Sequence, residues 1–270
     1  MSFLLGRDSQ RANDLQVFTT MLIMLVIQEI TNGLIPSSSR KQLSRYVSKP
    51  HSISFANSFQ MQLAYARQAD RIWILNVGDL KPLEVPINHF MDLAYDTPKW
   101  GYDSVPRWLG LWADREFGPE HADAISSVMD RYGMYAARRK YELLDVSTFS
   151  VVNYNEADAI LAQWDQLADD AQAVYDKLGD EFKPAYYEMI LQPVLGGQVV
   201  NQIYINAAKN RLYTAQKRNK ANAVAEDVLE YFKQDHVLTK RYHELLGGKW
   251  NHMLDRKFCS MFLAGLGLIG

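Results

Sequence analysis

Between Asn155 and Gly179 the apolar side chains Ile160, Leu161, Trp164, Leu167, Ala168, Ala171, Val174, Tyr175 and Leu178 recur three and four residues apart. That spacing sets them along one face of an α-helix, and a stripe of such length must be covered by other packed elements. Asn155 is a good N-cap and Gly179 a good stop. The same period returns on either side. Gly118-Pro119 predicts a helix start ahead of Ala122, Ile125, Val128, Met129, Tyr132 and Tyr135. Pro184 opens a segment with Tyr187, Ile190 and Leu191, which Pro193 and Gly196-Gly197 are expected to kink or interrupt. The stripe resumes through Val199, Val200, Ile203, Tyr204, Ala207, Ala208 and Leu212. A last one, Val224, Ala225, Val228, Leu229 and Phe232, leads through Val237, Leu238, Tyr242 and Leu245 to a stop at Gly247-Gly248. Roughly four or five antiparallel helices of this length make a bundle. Most of residues 119 to 246 should therefore be helical.

The first part of the chain reads differently. Phe59 to Ala69 (FQMQLAYARQA) suits a short helix, and Ile72-Trp73-Ile74-Leu75 is a compact, wholly apolar, β-prone run broken by Asn76-Val77-Gly78-Asp79. A helix feeding a strand buried on both faces is half of a βαβ arrangement. Such a strand needs neighbours, and the chain offers no other strong one. Val17 to Ile27 (VFTTMLIMLVI) follows Arg7 and Arg11 and is the most apolar run. It is too short to cross a bilayer, which takes about 20 residues. Asp8 and Asp14 beside the arginines, with no small-residue cleavage pattern soon after, fit a signal peptide poorly. A buried amphipathic helix and sequence outside any folded domain are the alternatives. Pro36 to Ser58 is polar and irregular and reads as a linker or loop.

Charge and cysteine content narrow the functions. With 29 Lys+Arg against 31 Asp+Glu the net charge is −2, which argues against a nucleic-acid backbone as partner. A single cysteine, Cys259, excludes an internal disulfide framework and a cluster of cysteine metal ligands. There is no phosphate-binding glycine loop, dinucleotide fingerprint, nucleophile elbow or paired-histidine zinc motif. The histidines are His51, His89, His121, His236, His243 and His252. His236 and His243 could share a helix face, but ligand pairs usually sit about three or four residues apart. No metal site and no cofactor is expected.

The end of the apolar run is where chemistry would concentrate, since residues just past a parallel strand sit where α/β folds build their sites. Asn76, Asp79 and Lys81 fall there. Asn donates and accepts toward sugar hydroxyls, Asp orients a water or hydroxyl, and Lys neutralises a carboxylate as a point charge. Both Asn76 and Asp79 are equally suited to satisfying a turn and capping the next helix.

Ile72 to Glu84 (IWILNVGDLKPLE), Pro86 and Phe90 to Asp96 (FMDLAYD) resemble glycoside hydrolase family 115, the xylan α-1,2-glucuronidases. Further motifs follow in the family's order: Ala137 to Leu144 (ARRKYELL), Val152 to Ala157 (VNYNEA), Tyr186 to Pro193 (YYEMILQP), Ala208 to Tyr213 (AKNRLY) and Gly247 to Met253 (GGKWNHM). The resemblance runs from about Gln60 to Asp255, with departures expected near Arg67-Gln68 and Gly196-Gly197. It implies a mainly α chain, an antiparallel helical bundle attached to a remnant of a (β/α)8 barrel. Residues 60–117 would be the barrel remnant and 118–255 the bundle. Residues 1–59, read as disordered or as one helix, and 256–270 resemble nothing in the family and are expected to mark truncation or gene-model error.

The same resemblance implies removal of glucuronic acid side chains, methylated or not, from glucuronoxylan or its oligosaccharides by inverting hydrolysis. Inversion requires an acid and a base about 6.5 to 9.5 Å apart with a water between. The family's principal catalytic carboxylates would lie upstream of Arg71, so this chain is expected to be inactive alone, with catalytic residues unknown and Asn76, Asp79 and Lys81 as substrate-binding candidates. The competing reading is a non-catalytic helical module that binds a partner or forms a homodimer. No nucleic-acid or membrane partner is expected, and the resemblance admits an extracellular location.

Overall fold

A computed structural model of the chain describes residues 53–75, 81, 83–139 and 141–254. They form a mainly helical protein, with no strand among the described residues. In chain order the helices are α1 (Ile53–Ala66), α2 (Glu84–Tyr95), α3 (Val105–Phe117), α4 (Ala122–Ala136), α5 (Glu156–Lys177), α6 (Lys183–Tyr186), a π turn (Tyr187–Leu191), α7 (Gln192–Ala215) and α8 (Lys220–Glu244). The predicted segments at Val17–Ile27 and 256–270, with His51 and Cys259, lie outside the described residues. None of the described helices is long and apolar enough to cross a membrane.

The described residues divide into two compact units. One takes in those from 53 to 139 with 167–191, the other 141–166 with 192–254. α5 contributes its second half to the first unit and its first half to the second.

In the first unit, α3 supplies the organising face. Trp108, Leu109, Trp112, Ala113 and Phe117 recur at helical spacing and are all buried. Trp112 stacks on Trp108 at 6.4 Å between ring centroids, and Phe117 continues the row edge-on to Trp112 at 5.8 Å. Gly118 ends α3 at φ +84°, a conformation that favours glycine, and its N–H bonds back to Asp114 O at 2.9 Å. Gly118-Pro119 is thus the stop of α3. α4 begins only at Ala122, three residues beyond the predicted proline start.

α1 packs on α2, α3 and α4, and the Gln62 side-chain amide donates to the carbonyls of Thr97, at 2.9 Å, and Trp100. The helix read at Phe59–Ala69 is present but begins at Ile53, so 53–58 belong to α1 and not to the expected linker. Residues 36–52 of that linker lie outside the described residues.

Ile72–Leu75 corrects the sequence reading. It is irregular, not a strand, and Ile72 and Ile74 are 81% and 70% exposed. A single strand cannot satisfy its backbone groups, and no neighbouring strand exists among the described residues to pair with it. Trp73 instead folds inward, its indole N–H donating to Ala69 O at 2.5 Å and its ring lying 6.1 Å from Phe90.

In the second unit, α7 and α8 form a helical hairpin across the short connection at 216–219, tied by Asn210 Nδ2–H donating to Ala221 O at 2.9 Å. Trp164 of α5 is buried at 1% exposure, as its central place in the stripe predicts. α7 runs unbroken through Pro193 and Gly196-Gly197, where an interruption was expected. The distortion lies one turn earlier: Pro193 has no N–H to give the carbonyl of Met189, and the backbone there widens into the π turn. Gly197 has a packing role. A Cβ there would stand 2.5 Å from Tyr141 Oη and 2.6 Å from the Trp164 ring. At the other end, Gly247 and Gly248 stop the α8 region with φ of +70° and +88°, as the sequence predicts.

Two substitutions test this packing by denaturant midpoint. Trp164→Ala should cost about 3 to 5 kcal/mol, because a large ring leaves a cavity. Gly197→Ala should destabilise by about 1 to 3 kcal/mol despite alanine's better helix propensity, because ring and hydroxyl would have to move. A neutral or stabilising Gly197→Ala would refute the close approach.

Candidate functional site

Of the three predicted site residues, Asn76 and Asp79 lie outside the described residues, and Lys81 lies within them. Lys81 stands just before α2, and its ammonium meets two carboxylates. One belongs to Glu84, three residues on in the first turn of α2. The other is Glu188 Oε2 at 3.4 Å, in the π turn and 107 residues away in sequence. All three residues belong to the first unit.

The α3 row accounts for their meeting. On the α2 side, Trp108 Nε1–H donates to Asp92 Oδ2 at 2.7 Å, and His89 lies edge-on to Trp108 at 4.8 Å, so α3 grips α2 one and two turns beyond Glu84. On the other side, Phe117 packs edge-on against Tyr186 at 5.7 Å. Tyr186 Oη–H donates to Ala171 O at 3.0 Å, and Tyr175 lies 6.1 Å from the Tyr186 ring and 6.5 Å from that of Tyr187. α6 and the second half of α5 thereby fix the start of the π turn, whose second residue is Glu188. π turns inside helices often occur where a side chain is needed in an unusual direction.

Electrostatics follow from burial. The Glu188 side chain is 1% exposed. Burial first, then the neighbouring charge of Glu84, push its carboxyl up to about 7, with Lys81 pulling the other way. For Lys81, burial opposes the charge, but its bond to Glu84 and the charges of both glutamates outweigh that effect and raise its pKa above the ordinary lysine value. Near neutral pH the cluster thus holds a charged lysine, one glutamate beside it and a second glutamate poised between states. A carboxyl in that range can accept or release a proton at working pH. Glu84 and Glu188 both contact the one ammonium of Lys81. That is too close for the intervening water of an inverting pair, which needs about 6.5 to 9.5 Å.

His89 is another buried titratable group in this unit. It is 1% exposed, and its Nε2 finds no hydrogen-bond partner among the described residues. Burial lowers its pKa to about 4 against the opposing charge of Asp92, so the ring is neutral. Among the described residues, no group of three or more His, Cys, Asp and Glu side chains is arranged to hold a metal ion.

Glu188 is the site residue that sequence reasoning did not single out. The Tyr186–Pro193 motif contains it, but only Pro193, two residues after the π turn ends at Leu191, hints that the helix there is unusual.

The two buried groups act on stability in opposite senses. With a raised pKa, Glu188 costs nothing below 4.5, where folded and unfolded chains both hold its proton, and stability falls as pH rises from 4.5 through about 7. With a lowered pKa, His89 costs nothing above 6.5, and stability falls as pH drops from 6.5 through about 4. Urea midpoints measured across this range should show Glu188→Gln losing the alkaline decline and His89→Leu losing the acid one. Unchanged slopes in both variants would contradict the burial of these groups.

Comparison with known proteins bears on this same segment. No curated protein matches the chain. The model of glycosyl hydrolase family 115 matches residues 44–143. The matched stretch holds the Ile72–Glu84 and Phe90–Asp96 motifs, begins before Gln60, and leaves the motifs from Val152 onward outside it. Lys81 and Glu84 thus stand inside the matched stretch and Glu188 beyond it, and over residues 44–143 this chain is similar to glycosyl hydrolase family 115, a family of carbohydrate-cleaving enzymes.

Proposed function

We propose that the chain forms part of a glycoside hydrolase that removes (4-O-methyl)glucuronic acid side chains from glucuronoxylan, with Asn76, Asp79 and Lys81 on the sugar-binding side. The observation that carries this reading is that the matched stretch contains Lys81, on whose ammonium two carboxylates converge, one of them sealed from water. A lysine held by carboxylates is a point charge of fixed position, suited to recognising a uronate carboxylate. Residues 60–117 are read as derived from the last stretch of a (β/α)8 barrel and 118–255 as the bundle that follows it. The exposure of Ile72 and Ile74 supports that origin, since a wholly apolar run is what a sheet covers on both faces.

In this reading the chain binds and does not cleave. Inverting hydrolysis needs an acid to protonate the leaving oxygen and a separated base to activate water, each worth about 10² to 10⁴-fold in rate. Glu84 and Glu188, sharing one ammonium, do not offer that spacing. The purified 270-residue chain should therefore release no uronic acid from glucuronoxylan above background, while Asp79→Ala at the matching place of an active relative should lower turnover far more than fold stability. Release of uronic acid by this chain, abolished by Asp79→Ala, would overturn the non-catalytic reading and make the chain an enzyme by itself.

A further inference from the structure

The loop between α2 and α3 is pinned by hydrogen bonds. Gln62 of α1 donates to the carbonyls of Thr97 and Trp100, Trp100 N–H donates to Asp96 O at 3.3 Å, and Lys99 N–H donates to Asp96 Oδ1 at 3.2 Å. Trp100 is the buried anchor of the loop. Two exposed cations lie over its ring, the Lys99 ammonium 4.8 Å and the Arg107 guanidinium 5.3 Å from the centroid. Arg107 Nη2–H also donates to Lys99 O at 2.7 Å, which fixes the guanidinium while using one of its N–H groups. Two like charges drawn to one ring repel each other, and a shared anion would relieve that. Asp96 and Asp103 are the acids of the same loop. Asp96 Oδ1 is taken by the Lys99 N–H, and neither acid forms an ion pair with Lys99 or Arg107.

Arg107 belongs to the first turn of α3, where more donors gather. The first intrahelical bond runs from Trp108 N–H to Ser104 O at 2.8 Å, so the N–H groups of Val105 and Arg107 have no acceptor within the helix, and Pro106 has none to offer. This turn carries no acidic side chain. Ser104 stands immediately before it, so its Oγ lies at the mouth of the helix. Serine there ordinarily caps the first-turn N–H groups. The Ser104 side chain makes no such bond, and its Oγ is sealed from water with no hydrogen-bond partner among the described residues, in a residue only 8% exposed. We propose that the start of α3 is a binding site for a small oxyanion, a carboxylate or a phosphate, held by Arg107, the Ser104 hydroxyl and the first-turn N–H groups, with Lys99 as second charge. A helix start favours negative charge, and a guanidinium matches the paired oxygens of either group. The site lies past the end of α2 remote from Lys81 and stands independently of the sugar-binding reading of that residue.

The test titrates the ¹⁵N-labelled full chain at constant ionic strength with inorganic phosphate, with glucuronic acid and, as neutral control, with glucose. The backbone amide signals of Val105 and Arg107 and the Arg107 Nε–H signal should shift saturably with at least one of the two anions and stay still with glucose. A response to phosphate alone makes the site a phosphate site, to glucuronic acid alone a carboxylate site, and to both a general oxyanion site. Arg107→Ala should weaken binding on the order of tenfold, and Lys99→Gln and Ser104→Ala by less. Without ligand, Ser104→Ala should keep or raise the denaturant midpoint, because the hydroxyl it removes is buried and unsatisfied. A lowered midpoint would show that hydroxyl already engaged and overturn its part in the site. If Arg107→Ala does not fold, the wild-type titration and Lys99→Gln, a change on an exposed side chain, decide the matter. No saturable shift with either anion, an equal shift with glucose, or undiminished binding in Arg107→Ala or Lys99→Gln overturns the proposal.

Discussion

The aromatic row along α3 is the constraint on which the rest of the first unit depends. Trp108 holds α2 through Asp92 and His89, and Phe117 at the far end of the row holds Tyr186 and hence the π turn. Two elements remote in sequence are thereby docked on one helix face. Large rings suit this task because each buries much apolar surface with few rotatable bonds and keeps a preferred edge-on or stacked geometry to its neighbour. Trp108 adds a hydrogen bond to a carboxylate, which fixes the rotation of α2 about its own axis as well as its distance. The meeting of Glu84 and Glu188 at Lys81 is a consequence of that frame.

What the frame brings together is electrostatically expensive. A half-buried lysine flanked by two carboxylates gains Coulomb energy where the medium screens poorly, yet the Glu188 carboxylate has lost its hydration. The raised pKa of Glu188 is one relief of that cost, since a shared or retained proton neutralises the second carboxylate. The single turn of α2 that carries Glu84 could not by itself produce such a state: a local pair at i,i+3 on a helix start is a common solvated arrangement worth a few tenths of a kcal/mol. It is the arrival of Glu188 from the π turn, with its side chain sealed from water, that turns an ordinary pair into a cluster with a titratable member.

The helices were legible because their evidence is local. The stripe from Ile160 to Leu178, with Asn155 before it and Gly179 after it, fixes α5 almost to the residue, since a helix satisfies its backbone within itself. Gly247-Gly248 could be read as a stop for the same reason. Ile72–Leu75 failed because a strand is a claim about other strands, and composition says nothing about whether they are present to pair. Pro119 misled because Gly-Pro can close a helix as readily as open one, and the positive φ at Gly118 settles it only in three dimensions. Pro193 signalled a disturbance correctly, but a wider turn absorbs it at less cost than a break.

By itself the sequence determined the helical majority of the chain, the burial of Trp164, the likeness to glycosyl hydrolase family 115 and the choice of Lys81 as a residue of interest. Period, caps and motif order are properties of neighbours along the chain, and they can be read there. Tertiary structure alone decided that Gly197 must lack a side chain, that His89 is buried and neutral, and that Lys81 has Glu188 beside it. Those facts depend on which surfaces meet across long separations in sequence, 107 residues in the case of Lys81 and Glu188, and no local pattern encodes a contact whose two halves are individually unremarkable.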